Sequence, residues 1–254
     1  MISAAAGATV ASSGMAAAAE TKKAIFELRY FRMRNGSQVQ RTQDFLGKHF
    51  LPAAKRAGVG PMGFFSNVIG PESPTVISLL SFPSFEAMGS SLEKMDADKE
   101  FAAAFDEYNS APELNYIRME SELLRGFDTL PAVEVPPARE GRGGRVFELR
   151  TYESPNIKTL KRKMNMFDIG EIAIFRRSGL LPVFFGETLI GSRLPKLTYM
   201  VAFDDMAARD KAWGAFGGDP EWKKLRSQPG LSDPEIVSNI SNSILRGLPF
   251  SPIR

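Results

Sequence analysis

The segment Ile25-Phe26-Glu27-Leu28-Arg29-Tyr30-Phe31 returns 121 positions later as Val146-Phe147-Glu148-Leu149-Arg150-Thr151-Tyr152. Later landmarks hold that spacing: Phe82 with Phe203, Arg56 and Gly58 with Arg177 and Gly179, Leu124-Arg125-Gly126 with Leu245-Arg246-Gly247. Asp98-x-Glu100-Phe101 is matched in the same way by Asp219-x-Glu221-Trp222. Phe64-Phe65 and Phe184-Phe185 lie one residue closer, a deletion made good by Pro74 and Pro195. Chance does not hold one register over a domain's length. The chain therefore reads as a duplicated unit, residues 21–130 and 145–254. Between the copies, 131–144 is a linker, because its prolines and glycines break helix and strand alike.

Each copy reads as β-α-β-β-α-β. In the first, residues 25–33 alternate Phe26, Leu28, Tyr30 against Glu27, Arg29, Phe31, the period of a strand. Residues 37–57 place Phe45, Leu46, Phe50, Ala53, Ala54 and Ala57 at helical spacing, and Gly58 stands where a helix turns left-handed to end. Strands follow at 62–69 and 75–82, then a helix from the Ser84 cap to Tyr108, broken near Asp96–Asp98, and a strand at 115–125. The second copy repeats the order at 145–152, 156–177, 182–190, 196–203, 205–226 and 235–246. Such a unit folds in a ferredoxin-like way, with an antiparallel sheet covered by helices on one face only. Alternation leaves apolar side chains on both faces, and a bare apolar sheet is not tolerated in water. Two copies in one chain remove the problem by closing their bare faces on each other. The expectation is an α+β fold, two tandem ferredoxin-like repeats forming a fused dimeric α+β barrel. Further association into homodimers is compatible with that barrel and not required by it.

Composition narrows the chemistry. With no cysteine and one histidine, thiolate chemistry, disulfides, zinc fingers and multi-imidazole sites are excluded. The basic excess is small: 13 basic against 14 acidic side chains in residues 21–131, and 17 against 12 in residues 145–254. With no aromatic-basic RNP1 strand, that balance argues against nucleic acid as a partner. No glycine-rich phosphate loop appears, since Gly141-Arg142-Gly143-Gly144 precedes a strand from within the linker. Residues 1–20 are rich in Ala, Gly and Ser, are uncharged up to Glu20, and end on Ala16–Ala19 ahead of Lys22-Lys23. This fits an export signal with a small-residue cleavage site, and so an exported or periplasmic protein, better than it fits a membrane span; the alternative is an Ala-rich tail on a cytoplasmic protein.

In the second copy, Phe147-Glu148-Leu149-Arg150-Thr151-Tyr152, Gly170-Glu171-Ile172-Ala173-Ile174-Phe175-Arg176-Arg177 and Pro182-Val183-Phe184-Phe185-Gly186-Glu187 resemble a two-domain bacterial member of the NIPSNAP family. Leu197-Thr198-Tyr199-Met200, Asp219-Pro220-Glu221-Trp222 and Ile236-Val237-Ser238-Asn239-Ile240-Ser241 extend the likeness; the first copy matches more loosely. The resemblance implies the dimeric α+β barrel superfamily, which includes cofactor-independent monooxygenases, isomerases and haem-binding enzymes. For activity it implies little, and it calls for no cofactor.

Glu171 is the leading candidate for chemistry. Leu160, Met164, Phe167, Glu171 and Ile174 follow one helix face, and a carboxylate there is desolvated and open to acid–base use unless a cation, Arg150 or Arg176, compensates. Glu27/Arg29 and Glu148/Arg150 share one strand face; if that face lines the barrel, they and Tyr152 form a polar floor for an anionic or carbonyl ligand, and otherwise a structural ion-pair network. Asn239 and Ser241 offer neutral hydrogen-bonding groups to a small ligand in the barrel. His49, the lone imidazole, is a candidate base or haem ligand at the edge of an apolar helix face. Two readings follow. One is a small-molecule-binding or interaction protein without turnover. The other is a cofactor-independent monooxygenase or isomerase working on a carbonyl or enolisable substrate with Glu171 and Arg150. Phe50 occupies the Glu171 position in the first copy, so the copies need not be equivalent.

Overall fold

The computed structural model describes residues 22–139 and 143–254; the expected export signal lies outside the described residues. The first half contributes strands β1 (Ile25–Arg32), β2 (Met62–Ile69), β3 (Thr75–Phe82) and β4 (Arg118–Gly126). The second contributes β5 (Val146–Glu153), β6 (Leu181–Ile190), β7 (Lys196–Phe203) and β8 (Asn239–Gly247). All eight close into an antiparallel barrel in the order β1-β3-β2-β8-β5-β7-β6-β4. The halves are sewn together at two seams, β2 with β8 (Ser66 opposite Arg246) and β4 with β6 (Arg125 opposite Glu187).

Alternation decides which side chains fill the lumen. Phe26, Leu28, Phe65, Leu79, Phe147, Leu149, Phe184 and Met200 point inward and form one buried cluster. Their neighbours in sequence point outward under the helices, where each half has its own core. Phe31, Phe50, Phe64 and Phe82 belong to the first, and Tyr152, Phe167, Phe175, Phe185 and Tyr199 to the second. Closure thus buries the apolar face that helices leave bare. No described helix is long and apolar enough to cross a membrane.

In each half the helix after the first strand is continuous but wound unevenly. It runs α1 (Ser37–Phe45), a π segment (Leu46–Phe50) and α2 (Leu51–Arg56) in the first half, and α5 (Ile157–Met166), a π segment (Phe167–Glu171) and α6 (Ile172–Arg177) in the second. The two π segments occupy equivalent positions, 121 residues apart, and each ends on a buried residue, Phe50 or Glu171. Glycine closes both helices with a positive φ, +88° at Gly58 and +91° at Gly179.

The second helical layer is α3 (Phe85–Asp96) and α4 (Lys99–Asn109) in the first half, and α7 (Met206–Gly218) and α8 (Pro220–Arg226) in the second. Both breaks come at an aspartate that caps the next helix: Asp98 accepts from the Phe101 amide, and Asp219 accepts from the Glu221 and Trp222 amides. The helix read over 205–226 is broken at Asp219 as its counterpart is at Asp98, because Asp219-Pro220 is a stronger start signal than a continuation. The expected strand at 235–246 is also corrected. Ser232 and Glu235 form a capping box with Pro234 in the first turn, making a short helix, α9 (Asp233–Ile236), and the strand begins only at Asn239.

Candidate functional site

Strand parity places Glu27, Arg29, Glu148, Arg150 and Tyr152 outside the lumen, facing the helices. The polar floor inside the barrel is not formed by these residues, because Phe26, Leu28, Phe147 and Leu149 take the inward positions. The space between sheet and helices therefore occurs twice, and the two copies of it differ.

In the second half it is filled by a chain of polar groups. Glu148, fully buried, accepts from Arg150 (2.8 Å), twice from Arg209 (2.9 and 3.0 Å) and from the Trp213 indole (2.7 Å). Burial alone would raise its pKa; Arg209, Arg150 and Trp213 outweigh that and hold the carboxylate below its usual range. Arg150 also donates to the Tyr152 hydroxyl at 3.2 Å, and the Tyr152 and Tyr199 hydroxyls lie 3.1 Å apart. The Arg150 guanidinium sits over the Trp213 ring, 4.7 Å from its centre.

Glu171 is 2% exposed, and its partner is neither arginine named above but Lys163, whose ammonium approaches to 3.1 Å. Lys163 is itself buried, within 5.5 Å of the ring centres of Tyr152, Phe167 and Trp222, with Asp233 of α9 at 3.7 Å. Burial works against its ammonium, but Glu171, Tyr152 and Asp233 prevail and its pKa lies above the usual lysine value. For Glu171 burial dominates: its pKa is raised even though Lys163 pulls it back. Lys163 was missed from sequence, although a signal was present. Leu160, Lys163, Phe167 and Glu171 follow the same i, i+3, i+7, i+11 stripe, on which a lysine is as conspicuous as a glutamate.

In the first half the same region is a cavity of about 250 Å³. Phe31, Phe45, Phe50, Phe101 and Tyr108 wall it, with Arg29 at its base. Arg29 binds Glu27 through Nε (2.6 Å) and Nη2 (2.9 Å), and Ser121 donates to the same carboxylate at 2.7 Å. Ser78, opposite Arg29 on β3, also lines the cavity; it is 1% exposed and its hydroxyl has no hydrogen-bond partner. The cavity exists because Ser78 and Leu92 stand where the second half has Tyr199 and Trp213.

A second cavity, about 560 Å³, opens at one end of the barrel and is lined from both halves by Tyr30, Glu122, Thr151, Ser241 and Ser243 among others. Here Lys196, buried inside the barrel, pairs with Glu122, and Thr151 bonds Thr198 at 3.1 Å. Burial, then Glu122, push the Tyr30 phenol well up. Ser241 thus faces a cavity, whereas Asn239 is exposed and donates to Glu153 at 3.0 Å. His49 lies exposed on the outer side of its π segment, its ring 6.2 Å from that of Phe45. Neither cavity is lined by His49. Among the described residues no group of three His, Asp or Glu is placed to hold a metal ion.

Comparison with known proteins agrees with this architecture. A provisionally assigned monooxygenase from Fusobacterium nucleatum superposes with a TM-score of 0.58 at 11% identity, over 89% of this chain and 93% of that one. An anthrone oxidase-like protein gives 0.51 at 11% identity, over 89% and 92%. A NIPSNAP-like domain protein from Burkholderia xenovorans is 21% identical, with a TM-score of 0.39 over 43% of this chain and 90% of its own. No curated protein matches the sequence significantly. The NIPSNAP family model matches twice, over residues 26–131 and 147–252, and the chain belongs to the NIPSNAP family.

Proposed function

We propose that this NIPSNAP protein binds a small molecule, and that the ligand seats between sheet and helices of the first half alone. Each half, with strand order β4-β1-β3-β2 or its equivalent, is read as a ferredoxin-like unit, and only one of the two has kept its cleft open. The observation that carries the reading is the unpartnered Ser78 hydroxyl, buried in an aromatic cavity beside Arg29. A buried polar group without a partner is costly, and a ligand oxygen would satisfy it. Phenyl walls and a polar base fit a flat, largely apolar molecule carrying a carbonyl, carboxylate or phenolic oxygen.

Turnover by Glu171 finds less support. Its carboxylate is sealed against Lys163, and Phe50 occupies its place in the open half. The monooxygenase and anthrone oxidase-like descriptions belong to structures 11% identical, a likeness of fold. Titration with 2-naphthoate by calorimetry tests the binding reading. One site per chain is expected, weakened at least tenfold by Ser78→Tyr with Leu92→Trp, which copies the filled half into the open one. Unchanged affinity in that well-folded variant overturns it. Residues 1–20 are read as an export signal, checked by N-terminal sequencing of the periplasmic protein; association into homodimers is checked by light scattering.

A further inference from the structure

We propose that the cavity at the end of the barrel is a second, independent binding site, for a small neutral molecule bearing several hydroxyl groups, such as a monosaccharide or an acyclic polyol. The charges around it are already committed to each other. Arg32 binds Glu72 at 2.9 Å and Glu120 at 2.8 Å, Arg193 lies 3.4 Å from Glu153, and the Glu122 carboxylate holds the buried Lys196 ammonium. An ionic ligand would have to compete with these pairs, and separating Glu122 from Lys196, 9% and 1% exposed, would leave a charge desolvated, which is costly. The uncharged groups remain for binding: the Tyr30 phenol, the Ser241 and Ser243 hydroxyls, and the Asn67 carbonyl. Asn67 Oδ1 is buried with no hydrogen-bond partner, an acceptor that a ligand hydroxyl would satisfy. Beside it Gly70 has no side chain, and a Cβ there would come within 2.6 Å of Ser243 Oγ and 2.9 Å of Asn67 Oδ1. Only glycine thus lets the chain pass this close to Ser243 and Asn67, two of the residues that line the cavity. Below them Ile77 and Leu149 provide an apolar floor for the C–H face of a sugar or polyol.

Both halves contribute to this site, whereas the helix–sheet pocket belongs to one, so the two proposals stand or fall separately. The full chain is titrated by NMR with glucose and with sorbitol, and in parallel with gluconate and glucosamine as charged controls. Saturable shifts with a neutral probe at about millimolar affinity, at least tenfold tighter than with either charged control, are expected. Tyr30→Phe and Ser241→Ala each weaken the neutral probe at least fivefold, and Ser78→Tyr leaves it unaffected. The proposal is overturned if neither neutral probe saturates, if a charged control binds as tightly, or if both Tyr30→Phe and Ser241→Ala bind as the parent does. Retained fold in each variant is checked from the amide spectrum.

Discussion

The two halves carry the same strands, the same π segment and the same Glu–Arg pair on the first strand, yet one holds an open aromatic cavity and the other a chain of buried ions. Four positions account for the difference. Ser78 corresponds to Tyr199, Leu92 to Trp213, Phe50 to Glu171 and Thr42 to Lys163. Where the first half has an alcohol and an aliphatic chain, the second has a phenol and an indole, and these fill the space a ligand would need. Where the first has Phe50 and a Thr42 hydroxyl tied to Tyr108 at 2.9 Å, the second has a lysine–glutamate pair. The layer between sheet and helices is thus packed core in the second half and open in the first. Glu27 and Glu148 record the same divergence: the former is met by one arginine and a serine, the latter by two arginines and an indole.

The sharpest way to break this comparison is to remove Lys163. Lys163→Met leaves Glu171 buried without a counter-charge, a change that costs about 3–5 kcal/mol. For a chain of this size each kcal/mol moves Tm by roughly 2–4 °C, so a loss on the order of 10 °C is expected in a thermal scan. The double variant Lys163→Met/Glu171→Leu recovers most of it, since a dry apolar pair needs no compensation. Thr42→Val in the first half has a much smaller effect. Equal losses from Lys163→Met and Thr42→Val would mean that the buried ions are no more structural than their polar counterparts.

Reopening the second half is the reciprocal experiment. Tyr199→Ser with Trp213→Leu removes two rings and costs about 3–5 kcal/mol for the larger truncation. In exchange it creates a cavity over Arg150 equivalent to the one over Arg29. The stoichiometry of 2-naphthoate should rise from one to two per chain. If it stays at one in a folded variant, the filling rings are not what separates the halves.

Much of this architecture was legible in the sequence, and what was not has identifiable physical causes. The spacing of 121 residues, together with Phe26/Leu28 against Glu27/Arg29, was enough to foresee a closed α+β barrel, because an uncovered apolar face has few alternatives. Parity also fixed that Glu27 and Phe26 face opposite ways, but not which of the two faces meets the helices; that depends on how the helices pack back, a tertiary fact. The Glu171 stripe was visible, yet its counter-ion was sought at Arg150 or Arg176, when Lys163 lay on the same stripe two turns earlier. The cavity was invisible for a different reason. A void is produced by what is missing, and Ser78 reads as an ordinary strand residue until Tyr199 is set beside it. The start of β8 was misjudged because alternating Ser and Ile residues outweighed the Ser232–Glu235 capping box.

Charge removal at the two equivalent first-strand glutamates gives a smaller contrast. Glu148→Gln leaves Arg150, Arg209 and the Trp213 indole short of a carboxylate, whereas Glu27→Gln affects Arg29 and the Ser121 hydroxyl. Loss of a charged hydrogen bond costs about 1.5–3 kcal/mol, so Glu148→Gln should lower the urea midpoint about twice as far as Glu27→Gln. Similar midpoints would show that the extra partners of Glu148 add nothing.

The smallest effect concerns the helix-capping aspartates at the same position of each half. Asp219 is held by Arg177 first and then by the Trp222 and Glu221 amides, which bring its pKa from 3.8 to about 2. Asp98 is lowered chiefly by the Phe101 amide and then by Arg56. In both cases the folded chain favours the charged form. Their stabilising contribution is therefore present in full above about pH 4 and is lost as pH falls through the folded-state value. Between pH 4 and pH 2 the parent should lose a few degrees of Tm that Asp219→Asn has already lost at pH 7. Asp219→Asn should accordingly show a shallower decline over that interval, and Asp98→Asn a less marked flattening. Because Arg56 and Arg177 are nearly half exposed, raising salt should shrink the Arg177-dependent part most, while the part owed to backbone amides persists. If salt reduces the two equally, the caps are equivalent after all, and the divergence of the halves is confined to the layer between sheet and helices.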